Sequence, residues 1–190
     1  AALRFGIVTD TQDITGKVLE ESGNTVTLEE LEGILPQFTG DIMQVPPMYS
    51  AIKVDGKKLY DLARSGVEIE RKSRPVTIKE LEILGEEKGD YLLRVVCSKG
   101  TYIRTLCHDI GARLGVGAAL SSLRRTQAGA FRVENAHTID EIREFAEKGE
   151  LEKILLPVDS LFAEYSSCAL SERQLKKCLC GNSFETSEAD

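Results

Sequence analysis

Apolar positions along the chain change their period several times, and each change marks an element. Ala1 to Val8 reads as a strand ending in the polar turn Thr9-Asp10-Thr11-Gln12-Asp13, ahead of Gly16. Thr27-Leu28-Glu29-Glu30 has the form of a capping box, in which hydroxyl and carboxylate satisfy N–H groups at a helix start. Leu28, Leu31, Ile34 and Leu35 continue it as a short amphipathic helix up to Pro36. Pro46-Pro47 forces extended backbone and leads into Met48 to Val54, which reads as a strand, with a turn at Asp55-Gly56. Lys57 to Arg64 carries Leu59, Leu62 and Ala63 as a helical patch closed by Gly66.

Val76 to Leu84 and Tyr91 to Cys97 read as two strands of a hairpin across the polar stretch 85–90. After Gly100 the period changes from two to 3.6, because Ile103, Leu106, Ile110 and Leu114 recur on one helical face that ends near Gly115. Ala118 to Arg125 is expected to be a second helical piece and Gly129 to Val133 a strand. Thr138-Ile139-Asp140-Glu141 opens another capped helix, with Ile142 and Phe145 expected on its buried side. Ser171 to Cys180 reads as helical up to Gly181, and the acidic run 185–190 as a frayed end. Interleaved strands and helices joined by hairpin-type links predict an α+β fold with a mostly antiparallel sheet.

Composition changes this picture little. The 190 residues suit one domain with the start of another, and no apolar run approaches the roughly 20 residues of a membrane span. Cys97, Cys107, Cys168, Cys178 and Cys180 form an odd, irregularly spaced set, which predicts reduced thiols in a cytoplasmic protein. Cys178-x-Cys180 lacks the spacing of a zinc knuckle, and His108 and His137 stand in no ligand pattern, so no metal site is expected. Cys97 and Cys107 read as small buried apolar residues.

Charge changes more. The net charge of -7 argues against a polyanionic partner, yet residues 44–77 carry seven Lys/Arg against four Asp/Glu, and residues 94–132 carry seven against Asp109 alone. These windows together have a net charge of +9 and the remainder -16. The distribution suits a polyanion-facing surface with a repelling back, although solvated charge on either run would look the same. In 44–77, Tyr49 and Tyr60 are interleaved with Lys53, Lys57, Lys58, Arg64, Arg71, Lys72 and Arg74. That mixture fits backbone tracking and base stacking, and equally an exposed hairpin of snorkelling lysines.

Ser98-Lys99-Gly100-Thr101-Tyr102-Ile103-Arg104 joins a strand to a helix start, where unpaired N–H groups and the helix dipole already create positive potential. Lys99 and Arg104 add two cations, so an anion is expected there, either a phosphate or a carboxylate from elsewhere. A buried Arg–carboxylate pair that only supports the fold would leave the same signature.

Four stretches resemble one known family. Gln44 to Gly66 looks like the thumb-containing insertion of TruB-type tRNA pseudouridine synthases (pseudouridine-55 synthases). Cys97 to Arg104 resembles the family's C-S-K-G-T-Y-I-R motif, Leu123-Arg124-Arg125 its L-R-R motif, and Phe5-Gly6 with Thr9-Asp10-Thr11 and Asp13 its G-x-x-T-D-T-x-D turn. The resemblance implies a pseudouridine synthase catalytic domain over 1–165, with a thumb-like insertion at about 44–77. Residues 166–190 would then open a C-terminal RNA-binding domain.

The same resemblance implies isomerisation of a T-loop uridine of tRNA to pseudouridine, without metal or organic cofactor, in contact with the T-arm and not with a membrane. In the family an aspartate attacks the sugar and releases the uracil, which rotates and re-bonds through carbon. The implied roles are Arg104 as partner of that aspartate, Tyr102 against the flipped uracil, Leu123 lining its pocket and Lys99 binding substrate. Tyr49, Lys53, Lys57, Lys58, Arg64, Arg124 and Arg125 are implied to bind RNA. The family's G-x-L-D-P motif, which holds the nucleophile, occurs nowhere in the 190 residues. Asp10 and Asp13 read as turn and cap formers, and Asp109, one turn beyond Arg104, as a structural ion-pair partner. The expectation is therefore of a chain beginning after the nucleophile's segment and inactive alone. Such a chain is also expected to have an exposed sheet edge open to non-native self-association. The alternatives are a non-catalytic RNA-binding module or an inert structural piece of such an enzyme.

Overall fold

The computed structural model describes residues 1–54 and 56–183, and of Lys57 the backbone alone. Asp55 of the expected turn and the acidic run 185–190 lie outside the described residues. Residues 1–124 form one compact unit and the chain from Arg125 onward a second.

The expected first strand is two: β1 (Ala2–Phe5) and β2 (Ile7–Thr9). Gly6 between them has φ +78, and its C=O accepts Ser22 N–H at 2.7 Å while its N–H donates to Gly117 C=O at 3.0 Å. A Cβ there would lie 2.7 Å from Ser22 O, so only glycine fits. The chain thus leaves the main sheet at Gly6, and β2 pairs instead with β3 (Val18–Glu21). The capping box at Thr27 forms as expected and opens α1 (Leu28–Ile34), followed by a 3-10 turn over Leu35–Phe38.

β4 (Gly40–Gln44) leads into the insertion, which holds β5 (Lys53–Val54), β6 (Lys57–Lys58) and α2 (Leu59–Arg64). The predicted strand over 48–54 is only its last two residues, and the predicted helix from Lys57 starts two residues late. Both differences have one cause. Lys57 and Lys58 pair with Val54 and Lys53 as a small hairpin, so they are spent as strand before fully buried Leu59 begins the helix.

β7 (Arg74–Glu87) and β8 (Asp90–Cys97) make the expected hairpin, turning at Lys88 and Gly89, with φ 56 and 83. Two positive φ values suit the right-handed twist of paired strands. α3 (Ile103–Leu114) follows, and then β9 (Ala118–Ser122). The sheet order is β4-β7-β8-β1-β9, with antiparallel neighbours throughout, inside an α+β unit. No helix among the described residues is long and apolar enough to cross a membrane.

β9 corrects the helix expected over 118–125. Ala118, Ala119 and Leu120 are all buried, a run without strand alternation, because this strand has no solvent face. The link from α3 is short, so the chain returns along that helix and meets β1, Leu120 opposite Leu3 and Ala118 opposite Phe5. Backbone pairing in the sheet overrides the helical preference of the alanines. On the outer side of β9, Leu120 N–H donates to Gln12 C=O at 3.0 Å and its C=O accepts Ile14 N–H at 2.8 Å. The turn after β2 therefore covers that edge.

One core fills the unit. Leu106, Cys107 and Ile110 of α3 pack with Leu3, Ile78, Tyr91, Leu93, Ala118 and Leu120, and α1 adds Leu31 and Ile34. Burial pushes the Cys107 thiol up to about 12, as befits a packing residue, and Cys97 is half-buried. Tyr91 Oη donates to Val26 C=O at 2.7 Å inside this core. At its edge Asp90 accepts from Arg4 at 2.6 and 3.0 Å and from the Ser121 hydroxyl, tying β8, β1 and β9 together.

The second unit has β10 (Gln127–Ala128) paired with β11 (Phe131–Arg132), then α4 (Ile139–Glu147) and α5 (Glu172–Leu179). The Thr138 capping box forms, but Ile142 is 41% exposed and none of the residues 125–183 is buried. On the expected inner face of α4, Ile142 is thus exposed, while Phe145 is half-buried and meets the His137 ring edge-on at 6.0 Å.

Two helical glycines separate packing from propensity. A Cβ on Gly111 would lie 2.3 Å from Ala118 N, whereas one on Gly33 in α1 meets nothing within 4 Å. Gly111→Ala is expected to lower unfolding free energy by about 1–3 kcal/mol through overpacking. Gly33→Ala is expected to raise it by roughly 0.5–1 kcal/mol. Urea titrations of both variants check the pair; equal shifts would contradict the close approach of α3 to β9.

Candidate active site

Three separate stretches meet at the start of α3: the turn after β2, the root of the insertion and the loop that follows β8. The first is a web of short local bonds. Asp13 Oδ1 accepts from Thr15 N–H at 3.0 Å and Thr15 hydroxyl at 2.6 Å, and Asp10 Oδ1 accepts from Lys17 N–H at 2.8 Å. Both carboxylates serve this turn. Gln12 sits in it at φ 63, a conformation that side-chain-bearing residues avoid, and its Oε1 accepts the Thr105 hydroxyl at 2.8 Å. Leu120 and Thr105 therefore hold Gln12 from two sides.

The loop 98–102 has a similar economy. Ser98 Oγ accepts Thr77 N–H at 2.9 Å, and Thr101 Oγ1 donates to Ser98 C=O at 2.9 Å. Lys99 stands exposed at the turn. Tyr102 is the N-cap of α3, yet its side chain caps nothing and the helix has no acidic residue in its first turn. α1, α4 and α5 all carry full capping boxes. The bond from outside comes instead from Gln44, the last residue of β4, which is 2% exposed. Gln44 Oε1 accepts Tyr102 N–H at 2.8 Å, and Gln44 Nε2 donates to Tyr102 C=O at 3.1 Å.

Arg104 is the second residue of α3 and is half-buried. Its guanidinium donates to Tyr49 C=O at 2.8 Å and to Thr11 C=O at 3.4 Å, and among the described residues it pairs with no carboxylate. Carbonyl oxygens orient a guanidinium without neutralising it. A half-buried cation at the positive end of a helix dipole thus retains capacity for an anion. The expected anion is not among the described neighbours.

In the insertion, Leu59 N–H donates to Ile52 C=O at 2.8 Å and Tyr60 N–H to Ser50 C=O at 3.1 Å, which folds it back on itself. Arg71 closes its base by donating to Pro46 C=O at 3.2 Å. Lys58 Nζ lies 3.2 Å from Tyr60 Oη and 5.2 Å from the ring centre, with the Arg64 guanidinium 5.5 Å from the same ring. Two cations on one aromatic ring give a compact positive patch. Lys53 and Arg64 are exposed and Tyr49 half-buried, while the side chain of Lys57 lies outside the described residues. Leu123 is 54% exposed after β9, and Arg124 and Arg125 are exposed.

The structure thus brings Tyr102, Arg104 and the Tyr49 backbone together, and leaves Leu123 and Lys99 on open chain. Gln44 and Gln12 are the additions. Nothing in the sequence flags either, because their partners lie 58 and 93 positions away. Asp109, expected to be ion-paired, meets no Lys or Arg among the described residues. Burial raises its carboxyl above the ordinary value, and neighbouring His108 partly opposes the shift.

Comparison with known proteins shows the family to which the chain belongs. Residues 1–103 match a family profile described as "TruB family pseudouridylate synthase (N terminal domain)" and residues 104–163 one described as "tRNA pseudouridylate synthase B C-terminal domain". The chain is 46% identical over 190 residues to tRNA pseudouridine synthase B of Stutzerimonas stutzeri (strain A1501), covering 98% of this chain and 62% of that protein. It is 45% identical over 182 residues to that of Alkaliphilus oremlandii (strain OhILAs), covering 96% and 60%. The chain therefore spans about three fifths of the length of these relatives. Among solved structures, a chain in a Cbf5-Nop10-Gar1 complex superposes with a TM-score of 0.61 at 28% identity, over 85% of this chain and 41% of that one.

Asp109 yields a pH-dependent prediction. With the folded-state carboxyl raised, the unfolded chain loses its proton first as pH increases, so this group lowers stability progressively from the ordinary carboxylate range up to the raised value. Asp109→Asn removes that loss. Its gain in Tm over the parent is expected to be larger at about pH 7 than at about pH 4, and an equal gain at both would refute the assignment.

Proposed function

The chain belongs to the TruB family of pseudouridylate synthases, and on that premise we propose that it forms the base-receiving side of a site converting a T-loop uridine of tRNA to pseudouridine. The observation that carries this reading is Arg104: half-buried at the start of α3, aimed by two main-chain carbonyls and without a carboxylate among the described residues. A carboxylate placed there would be held by a bidentate fork and kept ionised, as a nucleophile requires. The G-x-L-D-P stretch is not among the 190 residues, so in this reading the nucleophilic aspartate comes from outside them and these residues alone do not isomerise uridine.

The reaction exchanges the N1–C1′ bond of uridine for a C5–C1′ bond and moves a proton from C5 to N1. No electrons enter or leave, so the isomerisation consumes neither oxidant nor reductant. Attack of the aspartate on the sugar releases uracil, which must rotate while held. Tyr102 is the ring against which it turns, and Leu123 lines the pocket once RNA is seated. Base extraction costs a few kcal/mol, which phosphate contacts offset. Lys99 and Arg124 supply such contacts from the first unit, Arg125 from the second, and Tyr49, Lys53, Lys57, Lys58 and Arg64 from the insertion. Residues 166–190 open a further RNA-binding domain, and the protein works in the cytoplasm with its thiols reduced.

Two outcomes are expected. In the full-length protein, Arg104→Ala abolishes uridine isomerisation in a T-arm hairpin, and Arg104→Lys does not restore it because an ammonium lacks the planar fork. Near-normal rates in either variant would remove Arg104 from the site. T-arm RNA is also expected to bind with affinity that falls steeply with salt. Lys58→Ala with Arg64→Ala should flatten the log–log slope by about two, one per lost phosphate contact, and an unchanged slope would exclude both from the interface.

A further inference from the structure

Tyr102 has an unusual support. Its N–H belongs to the peptide plane before its Cα and its C=O to the plane after it, and Gln44 bonds to both, at 2.8 and 3.1 Å. Pinning both planes fixes the direction of the Cα–Cβ bond, and so the place from which the ring projects. The Tyr102 C=O also accepts the first helical bond of α3, from Leu106 N–H at 3.0 Å, so the side-chain amide is added to the helix and does not replace it. The phenol hydroxyl has no hydrogen bond of its own among the described residues. The backbone anchor therefore fixes the point from which the ring leaves the chain.

Gln44 is itself rigid. It is 2% exposed, ends β4 and pairs through its backbone with Arg74 of β7, the residue at which the insertion returns to the sheet. Since Tyr49 C=O holds Arg104, both site residues are fastened to the two ends of one short stretch, 44–49.

We infer that Gln44 is the positioning residue for Tyr102, setting the ring's placement against the substrate base. The inference rests on the role given to Tyr102 under the proposed function. A misplacement of about 1 Å at a reacting centre can cost about a hundredfold in rate, so loss of this anchor should appear in kcat and not in RNA affinity.

The test uses the full-length protein with Gln44→Ala and Gln44→Glu. In Gln44→Ala, kcat is expected to fall about ten- to hundredfold, with KM for a T-arm hairpin within about twofold of the parent. Gln44→Glu has the same shape, but its ionised form cannot donate to Tyr102 C=O. Its kcat should be low at about pH 8 and recover toward the parent at about pH 6, as the buried carboxyl takes up a proton and becomes a donor again. Hydrogen exchange of the Tyr102 amide supplies a readout independent of activity, slow in the parent and at least about tenfold faster in Gln44→Ala. Unchanged exchange, unchanged kcat in a folded variant, or a Gln44→Glu loss that is equal at every pH would each overturn the inference. If the parent protein isomerises no uridine, the functional reading fails while the exchange experiment still decides whether Gln44 anchors Tyr102.

Discussion

A helix start leaves its first N–H groups unpaired and points the positive end of its dipole outward, so most helices supply an acceptor side chain of their own. α3 does not. It begins at a tyrosine that caps nothing, has no acidic residue in its first turn and places Arg104 there as well. The rest of the unit is arranged around that deficit. β4 ends in a buried amide that meets the Tyr102 backbone, and the turn after β2 and the root of the insertion lend carbonyl oxygens to the guanidinium. Each neutral partner orients without cancelling charge. The potential left over is what a carboxylate or phosphate would find.

Holding such a site takes long-range pairings, and these come from the sheet. β1 sits between β8 and β9, so the turn that follows β2 is delivered beside α3 by strands close in space and far apart in sequence. Gly111 lets α3 lie against the first residue of β9, and Gln12 accepts an unfavourable backbone angle to reach Thr105. Strain at one residue of a turn is tolerable because its C=O and side chain are both engaged. The second unit has no comparable interior. Leu155, Leu156, Val158, Phe162, Tyr165 and Leu179 are all more than half exposed, so burial among the described residues contributes little to its stability.

Much of this was legible along the chain where the determinant is local. The Thr27 and Thr138 boxes, the β7–β8 hairpin and the 103–114 stripe are each written in one continuous stretch of at most 24 residues, and each forms where its pattern lies. The α+β class followed from them. What failed were features whose cause is distant. Ala118 to Leu120 has no period because both its faces are covered, and its partner is the start of the chain. Gly6 divides a continuous apolar run because the backbone of Ser22 needs its space. At the site, the local cations pointed to a demand for an anion, but local pattern carries no trace of Gln44 or of carbonyl oxygens as its partners. A polar side chain that ends a strand looks the same whether it meets water or a peptide bond.

The β7–β8 hairpin has a further use. Its two arms leave the region of Ser98 and Thr77, beside the start of α3, and turn at Lys88 and Gly89 after the eight residues of β8, about 25 Å away at strand rise. Lys88 is largely exposed, and among the described residues it pairs only with the adjacent Glu87. A fluorophore or affinity handle placed there would stand at the far end of the hairpin from the start of α3. The tip is thus a ready attachment point for a label remote from that helix start.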